Sequence, residues 1–301
     1  MVIYTYIGGD TVYLTILTPL YNRREYLDKI FECLTVQTNK NFQWLVIDDG
    51  SKVSSEDKFA EYKKNADFEV EYYYKKNGGK HSALNFSHNY IKGDVVLILD
   101  SDDILTSDAA ETVISAWEKN EDNAELGVIS FSKGTDENTP LVKYPEEIIS
   151  DHITYRINRG IEGDCCEVVR REAMCEIPFP EFEGENFMDE IHLWYNISKK
   201  YKTLYINKVI YLAEYLEEGL TKNVRKLLKK NPRGALHNQT VALSCPVNMK
   251  NRIKRTLLLI YYCKLLKIKR REALSLTENK LLANLLWPAG CALRFYWERK
   301  Y

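Results

Sequence analysis

The sequence predicts an α/β fold: a largely parallel sheet flanked by helices, followed by a basic helical extension. Three observations carry this. Strand-like and helix-like segments alternate from residue 12 to residue 131. Two apolar strands run directly into acidic clusters. The formal net charge of −1 hides a split: residues 1–221 carry 23 basic and 40 acidic side chains, and residues 222–301 carry 19 basic and three acidic ones. Such asymmetry points to a C-terminal part that meets an anionic surface.

The elements follow in order. Residues 2–7 and 12–18 are rich in Val, Ile, Tyr and Thr, and Gly8-Gly9-Asp10 between them reads as a turn. Residues 24–36 have helical spacing, with Tyr26, Leu27, Ile30, Phe31 and Leu34 on one face. Residues 42–47 form a buried strand that ends on Asp48-Asp49-Gly50-Ser51. A charged helix at 55–64, a strand at 68–74, a break at Asn77-Gly78-Gly79 and a helix at 81–91 come next. Residues 95–99 are a continuous apolar strand ending on Asp100-Ser101-Asp102-Asp103. A helix is expected at 106–119, capped by Thr106 or Ser107, then a strand at 126–131. Residues 135–159 read as a loop-rich connection. Strands are expected at 165–170, 203–206 and 209–215, and a helix at 189–200 with Ile191, Trp194, Tyr195 and Ile197 inward.

Composition excludes several classes. Apolar residues at 45% and aromatic residues at 12% suffice for a core. The seven cysteines are odd in number and scattered, without the paired spacing of zinc sites, which fits a reducing compartment. The N-terminus lacks the pattern of a signal peptide, and no stretch offers the ~20 apolar residues of an ordinary membrane span.

In a parallel sheet, ligands bind beyond the carboxyl ends of the strands, where both acidic clusters lie. Asp100, Asp102 and Asp103 repel one another unless a cation sits among them, and oxygen ligands select Mg²⁺ or Mn²⁺. Taken alone the cluster reads better as a solvated acidic turn before a helix, and its position at a strand end brings the two readings level. Asp48 and Asp49 could accept hydrogen bonds from a base or a ribose hydroxyl, or simply shape a turn. Asn77-Gly78-Gly79-Lys80-His81-Ser82 offers pliable backbone, a cation and a helix start, which suits an anion, but it is neither a Walker A loop nor a dinucleotide fingerprint.

Taken together these segments resemble the family 2 glycosyltransferases of the GT-A fold. The landmarks are Thr18-Pro19-Leu20-Tyr21-Asn22-Arg23, then Val46-Ile47-Asp48-Asp49-Gly50-Ser51. Next come Asn77 to Asn85, Gly93-Asp94, and Leu97-Ile98-Leu99-Asp100-Ser101-Asp102-Asp103. The resemblance implies that Thr18, Pro19, Tyr21, Asn22, Arg23, Asp48 and Asp49 serve the nucleoside. Lys80, Asn85, Asp100 and Ser101 would line the rest of the nucleotide sugar. Asp102 and Asp103, with Asp100, would hold Mn²⁺ or Mg²⁺ on the diphosphate. Glu185 to Trp194 matches the family's acidic pair ahead of a Leu-Trp helix, which puts Glu190 at the catalytic position with Asp189 as second choice. Asp164 and His192 would face the acceptor. The family's His-bearing segment after the last strand is replaced here by residues 214–221, which contain no His; whether Glu217 or Thr221 substitutes stays open.

The implied enzyme is inverting and metal-dependent. It uses a nucleotide sugar, a UDP-sugar first, and a saccharide or polyprenyl-linked acceptor, in building a surface polysaccharide. Two readings from other classes stay open: a non-catalytic nucleotide-sugar or membrane-binding scaffold, and a nucleotidyltransferase.

The division expected is a catalytic domain at 1–221 and a basic, amphipathic helical region at 222–301. In the latter, 249–271 and 281–297 suit helices lying on an anionic membrane, the second broken at Pro288 and Gly290, with Trp287, Tyr296 and Trp297 at headgroup level. The alternative is a helical appendage packed on the acidic domain. No nucleic-acid module accompanies the charge. The place expected for the protein is the cytoplasmic membrane face, as a monomer or a homo-oligomer.

Overall fold

The protein was analysed as a computed structural model that describes residues 11–213 and 220–300. The proposed strand at 2–7 and its turn lie outside the described residues, as does most of the segment at 214–221.

Strands β1 (Leu14–Leu20), β2 (Phe42–Asp48), β3 (Glu69–Tyr74) and β4 (Val95–Ile98) pair in parallel in the order β3-β2-β1-β4. Every residue of β1 and β2 is buried, as expected of strands covered on both faces. Helices α1 (Leu27–Thr35), α2 (Glu56–Asn65) and α3 (Lys80–Ser87) connect them. Leu27, Ile30 and Leu34 of α1 face the core, while Tyr26 and Phe31 lie at its margin. Helix α3 begins one residue before the expected start and stops four residues early.

The sheet is mixed rather than uniformly parallel beyond β4. After β5 (Ile104–Leu105) and α4 (Ala109–Glu118), the chain enters β6 (Leu126–Asp136). It then makes a long excursion containing β7 (Thr139–Pro140), β8 (Ile148–Ser150) and one helical turn at Ile153–Ile157. This excursion stays at one end of β6, so the next strand, β9 (Cys165–Arg170), must run back. It does so antiparallel between β4 and β6. The expected strands at 203–206 and 209–215 are one strand, β10 (Lys202–Leu212), which pairs with β6 in parallel and shifts register between Ile206 and Val209. The cap of α4 is also corrected. Its N-cap is Asp108, and Thr106 instead donates its hydroxyl to Asp108 at 2.8 Å.

Between β9 and β10 lie α5 (Arg171–Cys175) and α6 (Ile191–Ile197). Helix α6 is shorter than expected. It buries His192, Leu193, Tyr195 and Ile197, and leaves Ile191 and Trp194 half-buried.

The basic region folds as α7 (Leu220–Lys230), α8 (Pro232–Leu243), α9 (Met249–Leu265), α10 (Arg270–Ala273) and α11 (Lys280–Lys300). Helix α11 runs unbroken through Pro288. Gly290 explains its position: a Cβ there would lie 2.6 Å from Ile260, so the glycine is where α11 crosses α9 most closely. Trp287 is buried in that crossing rather than offered to a headgroup layer, with Lys264 and Arg270 over its ring at 5.3 and 5.2 Å. Tyr296 is exposed, and Trp297 packs edge-on to Tyr261.

Candidate functional site

The parallel strands deliver their carboxyl ends to one edge, and the chemistry concentrates there. Gly79 has φ +91°, and a Cβ on it would lie 1.9 Å from the carbonyl oxygen of Asn186. Only glycine lets residues 185–190 lie against the start of α3. That approach places Lys80 between two acids from distant segments. Its Nζ is 2.6 Å from Asp100 Oδ1 and 2.9 Å from Glu190 Oε1. Burial opposes the charge on Lys80, but Asp100 and Glu190 outweigh it and raise its pKa. Burial likewise pushes the Asp100 carboxyl up, and Lys80 and Lys133 more than reverse it, so it is held below the usual range. Both stay ionised.

Lys133 of β6 completes this charged junction. Its ammonium lies 4.0 Å from the ring centre of Tyr211, and the Asp100 charge helps to keep it protonated against burial. The Tyr211 hydroxyl donates to Asp103 Oδ2 at 2.8 Å and accepts the Asp100 N–H at 3.0 Å. One layer behind, Glu167 of β9 pairs with Arg156 at 2.9 Å; burial raises its pKa despite that partner. Sequence reasoning passed over Lys133, Glu167 and Tyr211. A lone charge inside an apolar strand was the available signal for Glu167, while Lys133 lies beyond the strand expected at 126–131.

Glu190 is the N-cap residue of α6, and its second oxygen accepts the indole N–H of Trp194 at 3.2 Å. Asp189 is spent differently. Its Oδ1 accepts the Ile191 N–H at 3.2 Å and the Asn238 amide, and burial raises its pKa. Of the two, only Glu190 reaches Lys80.

The C-terminal region builds one wall of this site. Asn231 accepts the N–H groups of Asn186 and Phe187 at 2.9 and 3.2 Å. Glu185 accepts the N–H groups of Arg233 and Gly234, both at 2.9 Å, at the start of α8, where the helix dipole favours a carboxylate. Segment 185–190 is therefore pinned from beyond residue 222.

Several expected site residues make contacts within the protein. Thr18 and Pro19 are buried, and Thr18 accepts the Trp44 indole N–H at 3.1 Å. Asp48 is buried and accepts the Ser51 N–H at 2.8 Å and the Tyr72 hydroxyl at 2.7 Å. Asp49 is buried and takes Lys75 at 2.7 Å and the N–H groups of Gly78 and Gly79 at 2.9 and 2.6 Å. These carboxylates shape the strand-end loops. Asn85 exchanges hydrogen bonds with the backbone of Phe179 at 2.7 and 2.8 Å, so it anchors a loop. His192 is buried. Its Nε2–H donates to the Pro178 carbonyl at 3.0 Å and its Nδ1 lies 3.0 Å from His237. Burial and His237 push its pKa down to about 4, so it is held neutral. Asp164 is exposed at the start of β9, away from these contacts.

Tyr21, Asn22 and Arg23 remain at the rim. Tyr21 is exposed, Asn22 (φ +51°) accepts the Lys52 N–H at 2.9 Å, and Arg23 covers the Tyr26 ring. Ser101 and Asp102 are half-buried. Among the described residues no three His, Cys, Asp or Glu side chains converge as a ready metal cage. Asp103 turns inward to Tyr211, while Asp100 and Asp102 stay at the edge. Two carboxylates fit a hard cation that takes its other ligands from water and substrate phosphate, as Mg²⁺ does.

Comparison with known proteins identifies the family and the fold. A family model described as "Glycosyl transferase family 2" matches residues 15–177. The uncharacterized glycosyltransferase RC0461 of Rickettsia conorii is 34% identical over 107 residues, which are 36% of this chain and 17% of that protein. The chain spans less than a fifth of the length of the first curated relatives it matches. The putative teichuronic acid biosynthesis glycosyltransferase TuaG of Bacillus subtilis is 25% identical over 223 residues, covering 72% of this chain and 84% of that protein. In three dimensions, S. aureus TarS 1-349 in complex with UDP-GlcNAc superposes with TM-score 0.58 at 16% identity, over 94% of this chain and 88% of that one. At that identity the likeness concerns the fold.

Proposed function

The chain belongs to glycosyl transferase family 2 and has the GT-A fold, and from that premise we propose that it is an inverting, metal-dependent enzyme of surface-polysaccharide assembly. It transfers a sugar from a nucleotide sugar, a UDP-sugar first, to a saccharide or lipid-linked saccharide. The observation that carries this reading is the junction at Lys80, where the Asp100 cluster and Glu190 meet through one ammonium.

The chemistry follows from the charges. The acceptor oxygen forms a bond to the anomeric carbon while the bond from that carbon to the diphosphate breaks, its electron pair leaving with the diphosphate. Glu190 takes the acceptor's hydroxyl proton. Lys80 and Lys133 lie where the leaving group gains negative charge and stabilise it. An arriving diphosphate competes for Lys80 and so frees Glu190 Oε1 for the acceptor. A divalent cation, held by Asp100 and Asp102 with the diphosphate, would supply further positive charge to the leaving group.

Calorimetric titration of the full chain with UDP tests the reading. Mn²⁺ should tighten binding at least ~10-fold over EDTA, or about 1.4 kcal/mol, and Asp102→Ala should remove that gain. Equal affinity with and without metal sinks the metal-dependent reading. UDP release from a panel of UDP-sugars separates a transferase from a scaffold, which releases none, and from a nucleotidyltransferase, which needs a nucleoside triphosphate.

The reading extends to the membrane. No helix among the described residues is long and apolar enough to cross one. Leu281, Leu285, Phe295 and Tyr296 are nonetheless exposed along α11, in a region with 19 basic and three acidic residues. An exposed apolar stripe with surrounding cations suits an anionic bilayer surface. In sedimentation with phosphatidylglycerol vesicles, Leu281→Asp with Leu285→Asp should lower the bound fraction severalfold. Unchanged binding removes α11 as the contact, and a dimer that ignores vesicles would assign the stripe to a second copy. These point changes are better than truncation at Thr221, which would also unpin residues 185–190.

A further inference from the structure

A second cavity lies behind the catalytic segment, between α7, α9 and α11. Its volume is about 520 Å³, within the ~300–1,000 Å³ usual for ligand sites. Leu228, Leu258, Leu293 and Trp297 give it an apolar wall. Four cations line the same space: Arg225, Lys250, Lys254 and Arg255. The single acid there is Asp189, whose carboxylate already accepts from Ile191 and Asn238.

Arg225 sits over the Trp297 ring at 5.6 Å, but the other three are not fully satisfied by the protein. Lys250 and Lys254 are exposed and pair with no acid among the described residues. Arg255 bonds to Gln239 and Tyr195 at 3.3 and 3.1 Å, yet its buried Nε has no partner. A buried guanidinium N–H without an acceptor costs free energy that a ligand oxygen would recover. An apolar wall beside Lys250, Lys254 and the open Nε of Arg255 selects an amphiphilic anion. A free nucleotide would leave the wall bare, and an uncharged lipid would leave the cations bare.

Position narrows the class. Asp189 is one of the lining residues, and the next residue is Glu190, whose Oε1 lies 2.9 Å from Lys80 Nζ. The outer side is built by Leu293 and Trp297 of α11, the helix that carries the exposed apolar stripe. We infer that this cavity binds a single-chain lipid phosphate or diphosphate, with its anionic head among Arg225, Lys250, Lys254 and Arg255 and its chain on the wall of Leu228, Leu258, Leu293 and Trp297. Resting on the transferase reading, the ligand is the carrier end of the acceptor.

The test is calorimetric titration of the full chain with farnesyl diphosphate below its micelle concentration. Saturable binding is expected, at least ~10-fold tighter than that of farnesol or inorganic pyrophosphate. Lys250→Glu with Lys254→Glu, both at exposed positions, should weaken it at least ~10-fold while farnesol binding stays unchanged. Leu258→Trp, which fills the wall, should weaken both. Absence of saturable binding, or binding indifferent to all these substitutions, overturns the proposal. Pyrophosphate binding as tightly as farnesyl diphosphate overturns it in favour of a plain anion patch. Phosphatidylglycerol vesicles binding where farnesyl diphosphate does not would assign the cations to bilayer headgroups. UDP titrated into the same samples separates the two readings: lost farnesyl diphosphate binding with UDP retained removes the cavity alone, and the reverse removes the donor site alone.

Discussion

Glu190→Gln should lower turnover by about 10²- to 10⁴-fold, the range expected when a general base is removed. The substitution keeps size and shape, and the amide oxygen can still accept the Trp194 indole N–H. What disappears is a group able to take a proton. UDP affinity should be unchanged or slightly higher, because Lys80 loses one of its two carboxylate partners and keeps Asp100. This pattern, with kcat lost and donor binding kept, marks an interaction made only in the transition state. Asp189→Asn is the control. Asn can still accept from Ile191 at that position, so turnover should fall by less than about tenfold. Turnover of the Glu190→Gln protein close to wild type would remove Glu190 from the mechanism. A larger loss in Asp189→Asn would exchange the two roles.

Asp49→Ala should cost about 3–5 kcal/mol of stability, the usual result of breaking a buried ion pair from one side. The carboxylate holds Lys75, the N–H groups of Gly78 and Gly79, and the amide of Asn77 at 3.0 Å. Alanine strands a half-buried ammonium and two backbone donors. The readout is the urea midpoint at constant slope. The alternative assignment of Asp49 to the nucleoside predicts something different: a stability change below about 1 kcal/mol with UDP binding lost. Because this carboxylate also fixes the start of α3, the structural role predicts that both properties fall together.

Much of the fold was legible because it is written in local periodicity. Continuous apolar runs such as Phe42–Asp48 are what a strand buried on both faces requires, and alternation with amphipathic helices implies parallel order. The antiparallel β9 was not legible, since direction depends on which end of the sheet a long excursion returns to. The continuity of α11 through Pro288 was not legible either. A proline removes one hydrogen bond, and the helix survives because α9 packs along it, with Gly290 seated on Ile260.

The site divides in the same way. The sequence by itself determined which segments arrive at the sheet edge, because the end of a strand is a local property. It therefore singled out Lys80, Asp100, Asp102 and Glu190 as candidates and set the acidic residues 1–221 apart from the basic residues 222–301. Only the tertiary structure decided which donors each acid meets. Asp103 is taken by Tyr211, 108 residues away, and Asp189 by Asn238, 49 residues away, while Asp49 is enclosed by the loop at 75–79. A carboxylate's role is set by the donors around it, and those donors come from parts of the chain that meet only after folding. The tail that looked separable by charge holds residues 185–190 in place, through Asn231 and Asn238.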